Sequence, residues 1–259
     1  MRVPPEHQPR RRGTLQADGA PPGLFRAIAR RYDLLNRLIS FGQDQRWRRK
    51  AAAACATAAH LGVLDVATGT ADQLVQLRRV APHGTRLVGV DTDKDMLRHA
   101  AQKLTNLPRK RHAFLCRADA LHLPFRNATF GAVTMAFAIR NFDNRLEALR
   151  EARRVLVPGG VLVVLEAGVP ETRLARLLFT IYCRYVMPTV AGALSGQRSA
   201  YCYLCESIFR FPPPRQFGRL LSEAGLELLR VHSLSFGAAK LFVASTEREE
   251  PLFEAKISP

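Results

Sequence analysis

Apolar residues recur at Ile28, Tyr32, Leu35 and Ile39, a spacing that predicts a helix over 25–41. An Arg- and Ala-rich stretch predicts a second helix from Trp47 to Thr57. From residue 61 the pattern changes to short apolar runs separated by amphipathic stretches. The runs LGVLDVA (61–67), RLVGV (86–90), 114–117, 132–137 and VLVVL (161–165) read as strands. They lack polar alternation, as strands covered on both faces do. Helices are expected over 74–80, over 93–104 with Asp93 as N-cap, and over 145–156, where Pro158-Gly159-Gly160 stops the last one. This alternation predicts a doubly wound α/β domain with a mostly parallel sheet.

From Glu171 the pattern departs. A mostly helical insertion is expected over 171–208, then a helix over 215–224, then a strand pair over 226–233 and 238–245 turning at Gly237. The pair reads as a hairpin that adds an antiparallel edge and completes seven strands. The expected organisation is a flexible basic tail (1–22), one domain (23–246) with 171–208 as a helical lid, and a polar tail (247–259). The longest apolar stretch, Leu174 to Leu194, contains Arg176, Arg184 and Pro188, so it does not read as a membrane span.

Charge changes the picture. The 259 residues carry 39 Lys+Arg against 22 Asp+Glu, a net charge of +17. The first fifty residues hold twelve basic and four acidic side chains. Such a field favours anionic partners: nucleic acid, an acidic membrane leaflet or a charged metabolite. Five cysteines, an odd number, fit a reducing, cytoplasmic setting. Cys202 and Cys205 form a single CxxC with no second pair, so no metal site is expected.

The first strand–turn–helix reads Asp65-Val66-Ala67-Thr68-Gly69-Thr70-Ala71-Asp72. Small residues there let a ligand approach the backbone, and open α/β sheets bind ligands beyond the carboxyl ends of their strands. Asp91 ends the second strand, where a carboxylate can accept both hydroxyl protons of a ribose. Asp119, after the third, can meet a base amine. The GxGxxG of dinucleotide sites is missing, and Asp65 would repel a pyrophosphate. A nucleoside without phosphates and with a cationic end, S-adenosylmethionine, suits this set better. Strand-end capping is the alternative role for Asp65 and Asp91.

The segments VLDVATGTAD, VGVDTDKDML, ADALHLPF, AFAIRN, RRVLVPGG and VLEAGVP, in this order, resemble the class I methyltransferases. YDLLNRLISFGQDQRWRR and SAYCYLCESIFRFP narrow the resemblance to the ubiquinone/menaquinone biosynthesis C-methyltransferase family, over about residues 25–245. It implies a Rossmann-like fold and the C-methylation of a prenylated quinol, with SFGAAKLFVAS leaning toward demethylmenaquinol. Asp65, Gly69, Thr70, Asp91, Asp119, Ala120 and Ala136 are the candidate cofactor residues. Arg140 and Asn141, with Tyr32 nearby, are the candidate acceptor residues. Ala71 stands where the family usually has Gly, Ala136 where it has Ser, Asp119 where Asn is common, and Gly131 where an acidic residue is usual.

Arg140 cannot serve as a simple base, because guanidinium stays protonated. It can stabilise a phenolate or orient a water; the alternative is a surface ion pair. His122, Asp33 and Asp72 are weaker base candidates, and Met135 reads as core. A lipid-borne acceptor implies peripheral attachment to an anionic membrane at its inner, cytoplasmic face, with the 174–194 stretch as a lid or tail tunnel. A homodimer is left open, and nucleic acid is not an expected partner. The rivals are an RNA methyltransferase, a methyltransferase of another phenol, and a cofactor-binding protein weakened by Ala71 and Ala136.

Overall fold

The computed structural model describes residues 32–105, 113–195 and 198–246. The predicted tails 1–22 and 247–259, and the first part of the helix expected over 25–41, lie outside them. The chain opens with helices α1 (Tyr32–Ile39) and α2 (Gln43–Ala56), joined at Gly42, whose φ of 71° turns the backbone between them. Then β1 (Val63–Val66), α3 (Asp72–Val80), β2 (Leu87–Asp91), α4 (Lys94–Thr105), β3 (Ala113–Arg117), β4 (Phe130–Ala136), α5 (Arg145–Val155) and β5 (Leu156–Ala167) follow. The insertion comprises α6 (Arg173–Ile181), a π turn (Tyr182–Val186), α7 (Met187–Ser195) and α8 (Arg198–Arg210). Helix α9 (Pro214–Glu223) and strands β6 (Glu227–Leu234) and β7 (Ala239–Ser245) complete the described fold.

The seven strands form one sheet in the order β3-β2-β1-β4-β5-β7-β6. The first five pair in parallel, and β7 is antiparallel to both β5 and β6. The antiparallel strand therefore lies inside the sheet, and the edge falls to β6. Strand β5 is longer than its apolar run predicts: it begins at Leu156, opposite Phe130, and runs through Pro158-Gly159-Gly160. That triplet ends α5 by entering the sheet.

Side chains alternate across the strands, and both faces are apolar. Leu64, Val66, Val133 and Met135 pack against Leu149 and Ala152 of α5 and Phe217 and Leu221 of α9. Val63 and Ala132 pack on the opposite face against Ala51 and Ala52 of α2 and Leu74 and Leu77 of α3. This is why the runs of β1, β2, β4 and β5 lack polar alternation; β3 departs from that expectation, because it is an edge strand with Phe114 exposed. A third cluster, Leu35, Cys183, Met187, Tyr201 and Tyr203, joins α1 to the insertion. The Tyr182 hydroxyl ties the two again by donating to the Ile39 carbonyl at 2.6 Å. Among the described residues, no helix is long and apolar enough to cross a membrane.

Candidate functional site

The carboxyl edge of the parallel strands gathers the predicted cofactor residues. Asp65 lies in β1 and Asp91 ends β2 beside it, with Val66 and Val90 in register. Asp91 is held by two backbone N–H groups: Gly69 donates to Oδ2 at 2.8 Å and Asp93 to Oδ1 at 2.9 Å. Asp93 caps α4, accepting from the N–H groups of Asp95 and Met96. The Ala118 N–H donates to the Asp91 carbonyl, which brings the chain after β3 to the same edge. There Asp119 accepts from the Leu121 N–H at 3.0 Å, and Ala120 is buried. Ala136 ends β4 opposite Leu165.

Burial sets the electrostatics. Asp65 is pushed up to about 7 chiefly by burial and further by the Asp91 charge, against the Thr68 hydroxyl, which donates to it at 2.6 Å, and the Arg48 charge. Asp91 is also raised, by burial, although its backbone partners oppose this. Thr70 is committed more than its motif suggests: its hydroxyl donates to Asp33 at 2.6 Å and accepts from Lys103 at 3.1 Å. Lys103 also pairs with Asp33, and with Asp72 at 2.7 Å. Burial works to raise Asp72, but the Arg48 and Lys103 cations outweigh it and hold the carboxyl below its usual range. Asp33 and Asp72, candidate bases on sequence grounds, are thus the anions of an ion-paired cluster that fastens α1 to the cofactor turn.

Beyond the ends of β4 and β5 lies an apolar cavity of about 420 Å³. Its wall draws on α1 and α2, the turn after β4, the insertion and the β6–β7 connection, with Phe41, Phe137, Leu178, Tyr182 and Phe236 among the lining residues. Burial pushes the Tyr182 phenol up to about 12, so it stays protonated and donates to Ile39. Arg140 is on this wall, in the 3₁₀ turn Ile139–Asn141. It is not the surface ion pair that its sequence allowed. Its guanidinium pairs with Glu166, which is fully buried and also accepts from the backbone N–H groups of Arg140 (3.2 Å) and Ala167 (2.9 Å). Asn141 is buried beside Tyr203, whose hydroxyl donates to its Oδ1 at 3.5 Å. The side chain of Tyr32 lies outside the described residues. Met135 is core, as its run predicts, and His122 sits in the turn after β3, bridged to Asp119.

Sequence reasoning missed Glu166. The available signal was a lone carboxylate at the end of VLVVL, since a charge inside an apolar run needs a partner.

Comparison with known proteins gives this site a family. The profile of the ubiE/COQ5 methyltransferase family matches residues 18–246. The chain belongs to that family. A demethylmenaquinone methyltransferase of Thermus thermophilus is 43% identical over 220 residues, covering 85% of this chain and 98% of that protein. A ubiquinone/menaquinone biosynthesis C-methyltransferase of Geobacter sulfurreducens is 38% identical over 219 residues, covering 85% of each. A solved S-adenosylmethionine-dependent methyltransferase from Thermotoga maritima shares the fold, with a TM-score of 0.55 at 18% identity over 86% of this chain and 100% of that one.

The cofactor is S-adenosylmethionine, and the residues present fit it. A carboxylate offers about four lone-pair positions. The Gly69 and Asp93 N–H groups take one position on each Asp91 oxygen, which leaves acceptor capacity for ribose hydroxyls. Gly69 takes a φ of 55°, and a Cβ built there meets no atom within 4 Å, so the space over the turn is open. Carboxylates around that space suit a ligand that brings a cation and no phosphate.

Proposed function

We propose that the protein methylates a ring carbon of a prenylated quinol, with demethylmenaquinol as the acceptor. The observation that carries this reading is the apolar cavity next to the cofactor edge, with a buried guanidinium on its wall. A ring with a hydrocarbon tail suits the apolar lining, while its phenol oxygen needs a polar partner there. When bound, S-adenosylmethionine supplies the activated methyl group. Asp91 holds the ribose, Asp119 and Ala120 border the adenine, Gly69 and Thr70 form the turn beneath the methionine part, and Asp65 faces its ammonium. Ala136 closes the floor between the two sites. Arg140, locked by Glu166, stabilises the phenolate that makes the ring carbon nucleophilic. Asn141 orients the ring, with Tyr32 nearby. Methyl transfer is in line, so much of the rate comes from holding acceptor and donor in register.

The acceptor is a lipid, and the surface around the cavity suits one. Leu34, Leu38, Phe41, Leu174, Leu177 and Leu178 are large apolar side chains exposed on α1, the α1–α2 link and α6. Phe41 and Leu178 also line the cavity, so its mouth opens at this patch. The exposed Arg37, Arg173 and Arg184 are near in sequence and match anionic headgroups. We read the protein as peripheral at the inner, cytoplasmic face of the membrane, with 171–208 as the lid of a single unit spanning 23–246. The functional test is expression in a host lacking its own quinone C-methylase, followed by mass analysis of the lipids. Recovery of methylated menaquinone supports the reading, and unchanged quinones refute it.

A further inference from the structure

The mechanism above uses one guanidinium. The cavity wall holds a second, Arg48, which its surroundings in RWRR disguise as part of a basic helix surface. Arg48 is 7% exposed, as is Arg140. Its guanidinium lies over the Phe137 ring, 5.0 Å from the centroid, and both residues line the cavity. Among the described residues, two buried nitrogen donors lack a hydrogen-bond partner: the Nε atoms of Arg48 and Arg140. Both belong to this wall. A buried donor without a partner is costly, and the cost is greater on a charged group. A ligand that accepts from the guanidinium relieves it.

The other polar groups of the wall are largely committed. Tyr182 donates to the Ile39 carbonyl, and the Ser235 hydroxyl accepts from the Trp47 indole at 3.0 Å. Asp44, one turn before Arg48, accepts from the Ser40 hydroxyl at 3.0 Å and the Gln45 amide at 2.9 Å. On the inner side Arg48 senses Asp65 and Asp72, whose carboxyls its charge pulls down. It therefore stands between the carboxylates of the cofactor edge and the acceptor cavity.

We propose that Arg48 is an acceptor-binding residue that takes the phenol oxygen of the ring as a phenolate. This rests on the quinol reading above. The phenol O–H breaks on binding, its proton leaves to bulk water, and the oxygen anion is held by the fixed charge of the planar guanidinium fork, which lies over the Phe137 ring. Two guanidiniums on one wall select a ring with two oxygens, a hydroquinone, over a monophenol. Arg140 then meets the second oxygen.

The test titrates a reporter phenol, 4-nitrophenol, whose visible band measures its own ionisation, against protein carrying S-adenosylhomocysteine. With wild type, the ionisation constant of the bound probe rises about tenfold, because a fixed cation favours the anion. Arg48→Gln removes most of the rise, leaving what Arg140 supplies, while cofactor affinity, measured by calorimetry, stays within a few fold. Arg48→Lys keeps part of the rise, and it carries the test if the glutamine variant does not fold. An unchanged probe ionisation in either variant overturns the proposal. So does a collapse of cofactor affinity with the probe unaffected, which marks Arg48 as only a counter-charge for Asp65 and Asp72. Failure of the quinol reading shows separately, as absent methylation of demethylmenaquinol by wild type that still ionises the probe.

Discussion

Arg140→Met should destabilise the protein severely whatever its effect on chemistry. The pair it forms with Glu166 is dry, with side-chain exposures of 6% and 0%. Removing one partner of a buried ion pair costs about 3–5 kcal/mol, because the other charge stays behind unpaired. Glu166 keeps two backbone N–H donors after Arg140→Met, which places that variant near ~3 kcal/mol. Glu166→Gln leaves an amide facing the guanidinium and falls toward ~5 kcal/mol. Changing both removes both charges, so the double variant should be more stable than the sum of the singles by about 2 kcal/mol or more. Urea unfolding at low temperature measures all three against wild type. If each single costs under ~1 kcal/mol and the two simply add, the pair is not desolvated and the reasoning fails. Turnover of Arg140 variants is informative only well below their unfolding midpoints.

Four further outcomes follow from the same structure. Asp65 has its carboxyl raised from 3.8 to about 7, so its contribution to stability is present below pH ~4 and lost as pH rises through about 7; Asp65→Asn should gain on wild type by up to about 4 kcal/mol across that window, and parallel stability–pH curves would refute this. Cofactor affinity should rise as pH passes through about 7, where Asp65 of the folded protein ionises, and the asparagine variant should flatten that rise in calorimetry. Gly131→Ala should cost about 3 kcal/mol in urea unfolding, because the added Cβ falls 1.8 Å from the Ala58 carbonyl oxygen; a loss under ~1 kcal/mol would mean the Ala58 backbone can yield. Sedimentation with anionic liposomes should show binding at low salt that weakens at high salt, and Leu34→Asp with Leu178→Asp should reduce it; no binding at low salt would count against the membrane reading.

Most of the sheet was legible because β1, β2, β4 and the second half of β5 are buried, largely apolar runs. Val63–Val66 and Leu87–Asp91 fall within one or two residues of where the runs predict. The start of β5 was not legible, since Pro158-Gly159-Gly160 reads locally as a helix stop and only its pairing with β4 and β7 makes it strand. The carboxylates at 65, 91 and 119 were legible once the strands were: each stands at or just past a strand end, and parallel pairing lines such ends up. The cavity was not. Its wall joins segments as distant as Phe41 and Phe236, and periodicity carries no information about contacts of that range. Glu166 and Arg140 lie 26 residues apart, and neither the apolar run nor the FAIRN motif names the other.

The departures from the family pattern are better judged by backbone shape than by residue type. Ala71 adopts the left-handed conformation that glycine would, with a φ of 69°. That conformation costs an L-residue about 1–2 kcal/mol, while burying the methyl group returns about 0.8 kcal/mol. The cofactor turn therefore keeps the glycine-type path at small net cost, which argues against a weakened site. Among the described residues seven non-glycines have positive φ, and six lie at the two candidate sites: Ala67 and Ala71 at the turn after β1, and Phe41, Phe137, Ser235 and Phe236 on the cavity. Strain of this kind persists where the surrounding structure holds it and clusters at functional sites. A chain relaxing away from catalysis would have little to keep three phenylalanines in that conformation around a single cavity.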